Sequence, residues 1–346
     1  MRVLVTGGAG FIGSHVVDQL LEGGAEVRVV DNLVTHAGVP EYLDPRVDLV
    51  VADLAEPGVA EAAVAGADAV CHQAARVGLG VDFGDVSGYV TANDLGTARL
   101  LEGLWRRSFT GRLVLASSMV VYGEGRYRCA EHGDVRPGPR TPGDLAAGRF
   151  DPACPVPGCG RRVRWDTIDE SAPVDPRNVY AATKLHQEHL CALWAREAGA
   201  TAVALRYHNV YGPRMPRDTP YAGVASIFRS SVAAGRAPEV FEDGGQTRDF
   251  VHVTDVARAN VLALRATADR PFLAVNVASG APHTVGDLAR ALAGDRLEPV
   301  VTGTWRLGDV RHIVASPALA ADVMGFVAEV DFAAGMAEFA RAPQRD

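Results

Sequence analysis

Of the 34 basic residues in this chain only one is a lysine, Lys184, and the rest are arginines. It stands four residues after Tyr180 in the run Tyr180-Ala181-Ala182-Thr183-Lys184. Residues four apart on a helix share a face. A phenol titrates near pH ~10 in water, and a fixed positive charge beside it favours the phenolate, so such a pair can work as a proton-abstracting tyrosine near neutrality. A compact ammonium on a flexible stem can reach under a ring to a ribose, which a planar, forked guanidinium does less well. The same spacing also fits an ordinary surface helix with one lysine, and by itself it leaves both readings open.

Such a pair needs an oxidant and a substrate held against it. Arg2 to Thr6 reads as a short strand, Gly7, Gly10 and Gly13 follow with Phe11 and Ile12 among them, and Ser14 to Leu21 reads as a helix. Glycines at these positions permit a tight turn and close approach of backbone to a pyrophosphate, held where helix N-terminal amides favour anions. A second strand, Glu26 to Val30, ends at Asp31 beside Asn32. An acid there accepts hydrogen bonds from ribose hydroxyls and repels a 2′-phosphate, which favours NAD over NADP. The alternative is a glycine-rich turn of another doubly wound protein with Asp31 capping a loop. Further strand ends precede Asp53-Leu54, Gln73-Ala74-Ala75 and Ser117-Ser118. Alternating strands and helices predict an α/β fold with a doubly wound parallel sheet, and ligand groups gather at the carboxyl ends of such strands.

A net charge of −8 argues against a general nucleic-acid or anionic-membrane binder. No apolar run reaches the length needed to span a bilayer, and no cleavable leader follows the first residues, so a cytosolic protein is expected. Five cysteines do not suggest a secreted disulfide framework.

Ser118 and Tyr180 are 62 residues apart, and the stretch at about 124–168 is rich in proline, glycine and arginine. It contains Cys129 and His132 as C-x2-H and Cys154 and Cys159 as C-x4-C. Two such pairs have the arrangement of a structural zinc site, in a segment with too few apolar residues to hold itself together. The expectation is one Zn²⁺ on Cys129, His132, Cys154 and Cys159; the alternative is a loop with incidental free thiols.

In order along the chain stand TGGAGFIG, Asp31-Asn32, Asp53-Leu54, Asn93, ASSMVVYG, Tyr180 with Lys184, RYHNVYGPR, GGQTRDFVHVTDVA and RLGDVRH. With these pieces in line the chain resembles the NAD-dependent nucleotide-sugar epimerase/dehydratase family of extended short-chain dehydrogenase/reductases, outside about 124–168. The resemblance implies that Ser118 hydrogen-bonds the reacting sugar hydroxyl, with Ser117 its nearest competitor, that Tyr180 is the base, and that Lys184 is its electrostatic partner and nicotinamide-ribose anchor. It implies Asp53, Ala74, Ala75 and Asn93 along the dinucleotide and Asn209 and Arg214 on the substrate. Phe241 would pack on the nucleotide base, Arg248 and Arg306 would grip the diphosphate, and Asp309 would bind the nucleotide ribose. It further implies a homodimer through helices around 93–106 and 180–196, and a pocket wall near Ile313.

Departures narrow the reaction. Relatives that eliminate water carry an Asp-Glu pair directly after the position of Ser118, and relatives that decarboxylate usually keep the Glu; here the pair is Met119-Val120, which cannot move a proton. The expected activity is NAD-dependent epimerisation of a nucleotide-activated sugar, at C4, through a keto-sugar. The alternatives are a net nucleotide-sugar oxidoreductase or decarboxylase, and, in another class, a non-catalytic NAD-binding protein whose zinc loop recruits a partner. Glu242 stands where relatives tend to have glycine. The expected domains are an NAD-binding part of 1–205 and 249–276, carrying the insertion, and a smaller α/β nucleotide-sugar part of 206–248 and 277–346.

Overall fold

The computed structural model describes residues 1–78, 83–217, 223–266 and 269–345. Its centre is a seven-stranded parallel sheet built from β1 (Arg2–Thr6), β2 (Glu26–Asp31), β3 (Asp48–Val51), β4 (Ala69–His72), β5 (Arg112–Ser118), β6 (Thr201–Tyr207) and β7 (Phe272–Val277). The strand order is β7-β6-β5-β4-β1-β2-β3, the doubly wound sheet that the alternation of elements predicts. The order reverses between β1 and β4, and at such a point the connecting loops diverge and leave a crevice beyond the strand ends.

Helices cover both faces, which is why the central strands are apolar on both sides. Along β1 the pleat sends Val3 and Val5 into one core and Leu4 into the other. The first core packs the helices Phe11–Glu22 and Val253–Arg265 through Val16, Val17, Leu20, Val256 and Ala263. The second packs Gly96–Arg106 and Val179–Ala198 through Leu100, Leu104, Cys191 and Trp194. No described helix is long and apolar enough to cross a membrane.

A smaller part is formed by Asn209–Tyr211, Thr247–His252, Pro282–Thr284 and His312–Ile313 in one sheet and by Glu239–Val240 paired with Val300–Val301. Its own core holds Tyr211, Phe228, Phe250, Leu288, Met336 and Phe339. The chain crosses between the parts more often than the predicted boundaries allow. Asp249 to His252 pair in the small sheet, not the large one, and Ala320, Met324 and Phe326, assigned to the small part, pack into the first core of the large one. These short segments carry too few residues for their patterning to reveal which core they join.

The insertion forms three short antiparallel strands, Gly133–Val135, Arg126–Cys129 and Arg164–Asp166 in that order, around a core of Tyr127, Cys129, Cys154 and Val163. Two cysteines in so small a core are short of apolar area.

Candidate active site

Tyr180 owes its place to a helix start. Asn178 is the N-cap of Val179–Ala198, its side chain accepting from the amide of Ala181 at 2.8 Å, and Gly199 ends the helix in the left-handed region at φ 63°. Tyr180 therefore lies in the first turn and Lys184 one turn later. The Ser118 side chain, at the carboxyl end of β5, comes close enough to the Tyr180 phenol to lower its titration, and its Oγ accepts from the amide of Val120 at 3.4 Å. Lys184 is 2% exposed; its Nζ donates to the carbonyl of Ala116 at 2.9 Å and lies 5.9 Å from the centre of the Tyr180 ring.

The electrostatics reverse one expectation. Burial pushes the Tyr180 phenol up to about 12, against a lowering by the Ser118 side chain, and burial pulls the Lys184 ammonium down to about 8. Desolvation is the largest cause of both shifts, because both groups are withdrawn from water. In the protein alone the phenol is therefore not made acidic by its neighbour. Ser117 faces away: it is 2% exposed and its hydroxyl donates to Glu188, which Arg206 holds bidentately. The pleat of β5 sends adjacent serines to opposite faces, which excludes Ser117 from the substrate side.

A dinucleotide is expected beyond the ends of β1 and β4, where the strand order reverses. A Cβ on Gly7 would meet the backbone nitrogen of Ala74 at 2.6 Å, and one on Gly13 would meet the Gly7 carbonyl at 2.1 Å. Gly7 also has φ 68°, so neither site tolerates a side chain. Gly10 caps the Phe11–Glu22 helix with no side-chain hydrogen bond, leaving its first amides to an anion. The Asp31 carboxylate, at the end of β2, accepts from the amides of Ala9 and Leu33 at 3.0 and 2.9 Å, and each oxygen keeps a lone pair. Asn32 donates to Asp53 at 3.0 Å. These features fit NAD.

The side chains of some predicted lining residues pack into cores, so those residues would meet a dinucleotide through their backbones. The Leu54 side chain is buried in the second core, Ile12 packs against the first and Phe11 against the small part's core. Asn93 is fully buried in a wide helical turn, Val90–Leu95; its amide oxygen accepts from the Arg76 amide and its nitrogen donates to the Arg76 carbonyl and to Thr183. It fixes the Ala74-Ala75-Arg76 strand end to the tyrosine's helix. The single letter "Asn" gave no sign of this.

At the opposite wall, Arg306 sets its guanidinium 5.9 Å from the Phe241 ring, and burial raises the Asp309 carboxyl against Arg306, Arg248 and Arg140. Arg248 turns its guanidinium to the carbonyls of Thr247, Val310 and Arg311. Asn209 keeps a buried amide oxygen without a partner among the described residues. Arg214 does not join them. At φ 65° it pairs with Asp18 at 2.7 Å and lies over Tyr42, beside the glycine-rich turn. Ile313 is buried against Val121, Tyr122 and Ile168 and presents no pocket wall.

The four insertion ligands converge: their donor atoms all lie within 4.8 Å of one another. His132 Nδ1 is 3.6 Å from both Cys129 Sγ and Cys154 Sγ, and Cys129 Sγ is 3.9 Å from Cys159 Sγ. A tetrahedron with Zn–S near ~2.3 Å and Zn–N near ~2.0 Å has edges of about 3.5–3.8 Å. The backbone amide of Glu131, then His132, hold the Cys129 thiol down to about 6, the thiolate form a metal binds.

Two features escaped the sequence. Tyr89 brings its ring 6.1 Å from that of Tyr180. Arg140 and Arg311 clamp Glu242, so the departure from glycine has its counterpart inside the insertion.

Compared with known proteins, the chain matches the sequence profile of the "NAD dependent epimerase/dehydratase family" over residues 3–142 and 156–278. The match runs further into the insertion than expected and omits only its middle. A dTDP-L-rhamnose 4-epimerase of Burkholderia thailandensis is 34% identical over 320 residues, 90% of this chain and 86% of that one. The UDP-glucose 4-epimerase of Thermotoga maritima, solved with UDP-glucose, superposes with a TM-score of 0.80 at 28% identity, covering 98% of this chain and 97% of that one. The Thermus thermophilus UDP-glucose 4-epimerase in complex with NAD gives 0.76 at 31% identity, covering 98% of each.

Proposed function

The chain belongs to the NAD-dependent epimerase/dehydratase family, and from that premise we infer that it inverts the C4 hydroxyl of a nucleotide-activated sugar through a keto-sugar, with no net redox change. The observation that carries this reading is the approach of Ser118 and Lys184 to the Tyr180 phenol beyond the end of β5, with the apolar Met119-Val120 where an acid/base pair would serve elimination.

Gly7, Gly10 and Gly13 with the amides of Phe11–Glu22 would hold the NAD pyrophosphate, Asp31 with the Asn32–Asp53 pair the adenosine end, and Lys184 the nicotinamide ribose. Bound NAD supplies an acceptor that takes the C4 hydride and returns the same hydride, and in its oxidised form a fixed positive charge. Ser118 orients the sugar hydroxyl toward Tyr180. Tyr180 takes the hydroxyl proton while the C4–H electron pair leaves as hydride, giving a ketone at C4. After the ketone turns over, Tyr180 returns its proton to the oxygen as the hydride re-enters from the opposite face. Tyr180 must be a phenolate before it takes the proton and is one again after returning it. The Lys184 ammonium, with the positive charge that oxidised NAD would bring, supports the phenolate in those two states in a water-poor site.

Phe241, Arg306, Arg248 and Asp309 take the nucleoside diphosphate, the guanidinium forks suiting phosphate oxygens. Relatives named for UDP-glucose and dTDP-L-rhamnose point to a UDP- or dTDP-linked hexose. Cys129, His132, Cys154 and Cys159 hold one Zn²⁺ with no open position, so the metal stabilises the insertion and takes no part in catalysis. The exposed Trp105 and Leu193, on the helices Gly96–Arg106 and Val179–Ala198, support a homodimer through that face. Incubating the NAD-loaded protein with UDP-, dTDP-, GDP- and ADP-hexoses and uronic acids and separating stereoisomers tests the reading. C4 epimers without accumulation of free NADH are expected; steady NADH growth would make it a net oxidoreductase.

A further inference from the structure

The insertion reaches the small part through buried charge. Glu242 is 2% exposed and sits at φ 56°, a region that favours glycine. Its Oε1 accepts from Arg140 Nη1 at 2.7 Å and its Oε2 from Arg311 Nη1 at 2.9 Å. The other end of the Arg140 fork donates to the Asp309 carbonyl at 2.6 Å. Asp151, also in the insertion, and Asp243, beside Glu242, complete the bonds of Arg311. The Arg140 side chain is 6% exposed.

A non-glycine residue in this backbone conformation is strained, and a buried carboxylate is costly unless every lone pair is used. Glu242 is kept in place by bonds that only the docked insertion completes. What it holds is local: Phe241 precedes it, Arg306 lies over that ring, and Asp309, whose carboxyl feels the charge of both Arg306 and Arg140, gives its backbone carbonyl to the Arg140 fork. An aromatic ring with Arg306 over it, and Asp309 and Arg248 within electrostatic reach of one another, is an arrangement for a base and its diphosphate.

We propose that Arg140 is a positioning residue for the nucleotide end of the substrate: delivered by the Cys/His-clamped insertion, it sets Glu242 and Asp309 and thereby the Phe241–Arg306 site. This rests on the nucleotide-sugar reading above. The insertion is then part of the substrate site and acts on nucleoside diphosphate affinity, leaving the hydride and proton steps at Tyr180 to the large sheet.

The test is calorimetric titration of UDP and of dTDP into the full-length, NAD-loaded protein, with KM and kcat on the sugar that the parent epimerises. Arg140→Ala weakens binding of the tighter diphosphate at least about tenfold, raises KM in parallel, leaves NAD content unchanged and changes kcat no more than about threefold. Arg140→Lys, which keeps the charge without the fork, falls between. Glu242→Gly combined with Arg140→Ala departs from additivity by at least about fivefold. Unchanged affinity, a loss confined to kcat, or additive effects would overturn the proposal. Where Arg140→Ala does not fold, Arg140→Gln is read by the same criteria. A parent that epimerises and binds while Arg140→Ala matches it refutes the inference alone; a parent that binds neither diphosphate and epimerises nothing removes the reading beneath it as well.

Discussion

The Lys184 ammonium lies 5.9 Å from the centre of the Tyr180 ring and donates to the carbonyl of Ala116, two residues before Ser118, whose side chain lowers the titration of the same phenol. One helix turn and one strand end thus meet at a single hydroxyl. Replacing Tyr180 with Phe removes the proton acceptor and nothing that holds the dinucleotide. Turnover should fall at least about a thousandfold with NAD still bound in stoichiometric amount. Loss of NAD together with activity would point to a cofactor role in place of the base.

Lys184 is charged and withdrawn from water at neutral pH, which costs stability. Burial pulls its folded-state pKa from 10.5 to about 8, so between those values the unfolded chain binds more protons and stability rises with pH. Lys184→Met should lower turnover by about 10²–10⁴ without lowering the Tm at pH 7. The Tm advantage of the variant should shrink as pH rises above about 8. A variant less stable at neutral pH would show that the Ala116 hydrogen bond outweighs desolvation.

The two adjacent serines separate chemistry from structure. Ser118→Ala should reduce kcat by roughly 10²-fold with little change in Tm. Ser117→Ala removes one of the two donors to the buried Oε1 of Glu188, leaving Arg206, and should cost about 1–3 kcal/mol of stability with the smaller effect on kcat. Thermal unfolding and steady-state rates on the two variants check this, and the reverse pattern would exchange the assignments.

The strand ends, the glycine turn and the tyrosine's helix were legible because each depends on residues close in sequence: a capping Asn178, a left-handed Gly199, the close approach at Gly7 and Gly13. The four metal-type ligands were legible for the same reason. What failed to show was anything set by a partner far along the chain. Arg214 has the type of a phosphate ligand but meets Asp18, 196 residues away, and the direction of the Tyr180 shift depends on how much water the folded walls exclude. Glu242 was visible as an oddity; its reason, Arg140, lies 102 residues upstream in a segment without pattern.

The insertion's ligand set makes its own prediction. Protein purified without added zinc should contain about one Zn²⁺ per chain by metal analysis, and Cys129→Ser should abolish it while making residues 124–168 sensitive to protease. A stoichiometry near zero in the parent would dismiss the site.

The account turns on one hydride leaving C4 and returning to the same carbon. UDP-glucose and dTDP-L-rhamnose deuterated at C4, incubated with the NAD-loaded protein and no added cofactor, test it by NMR of the product. An inverted C4 that keeps its deuterium, with no free NADH, is the predicted result. Deuterium lost to solvent, or inversion at another carbon, would contradict the mechanism.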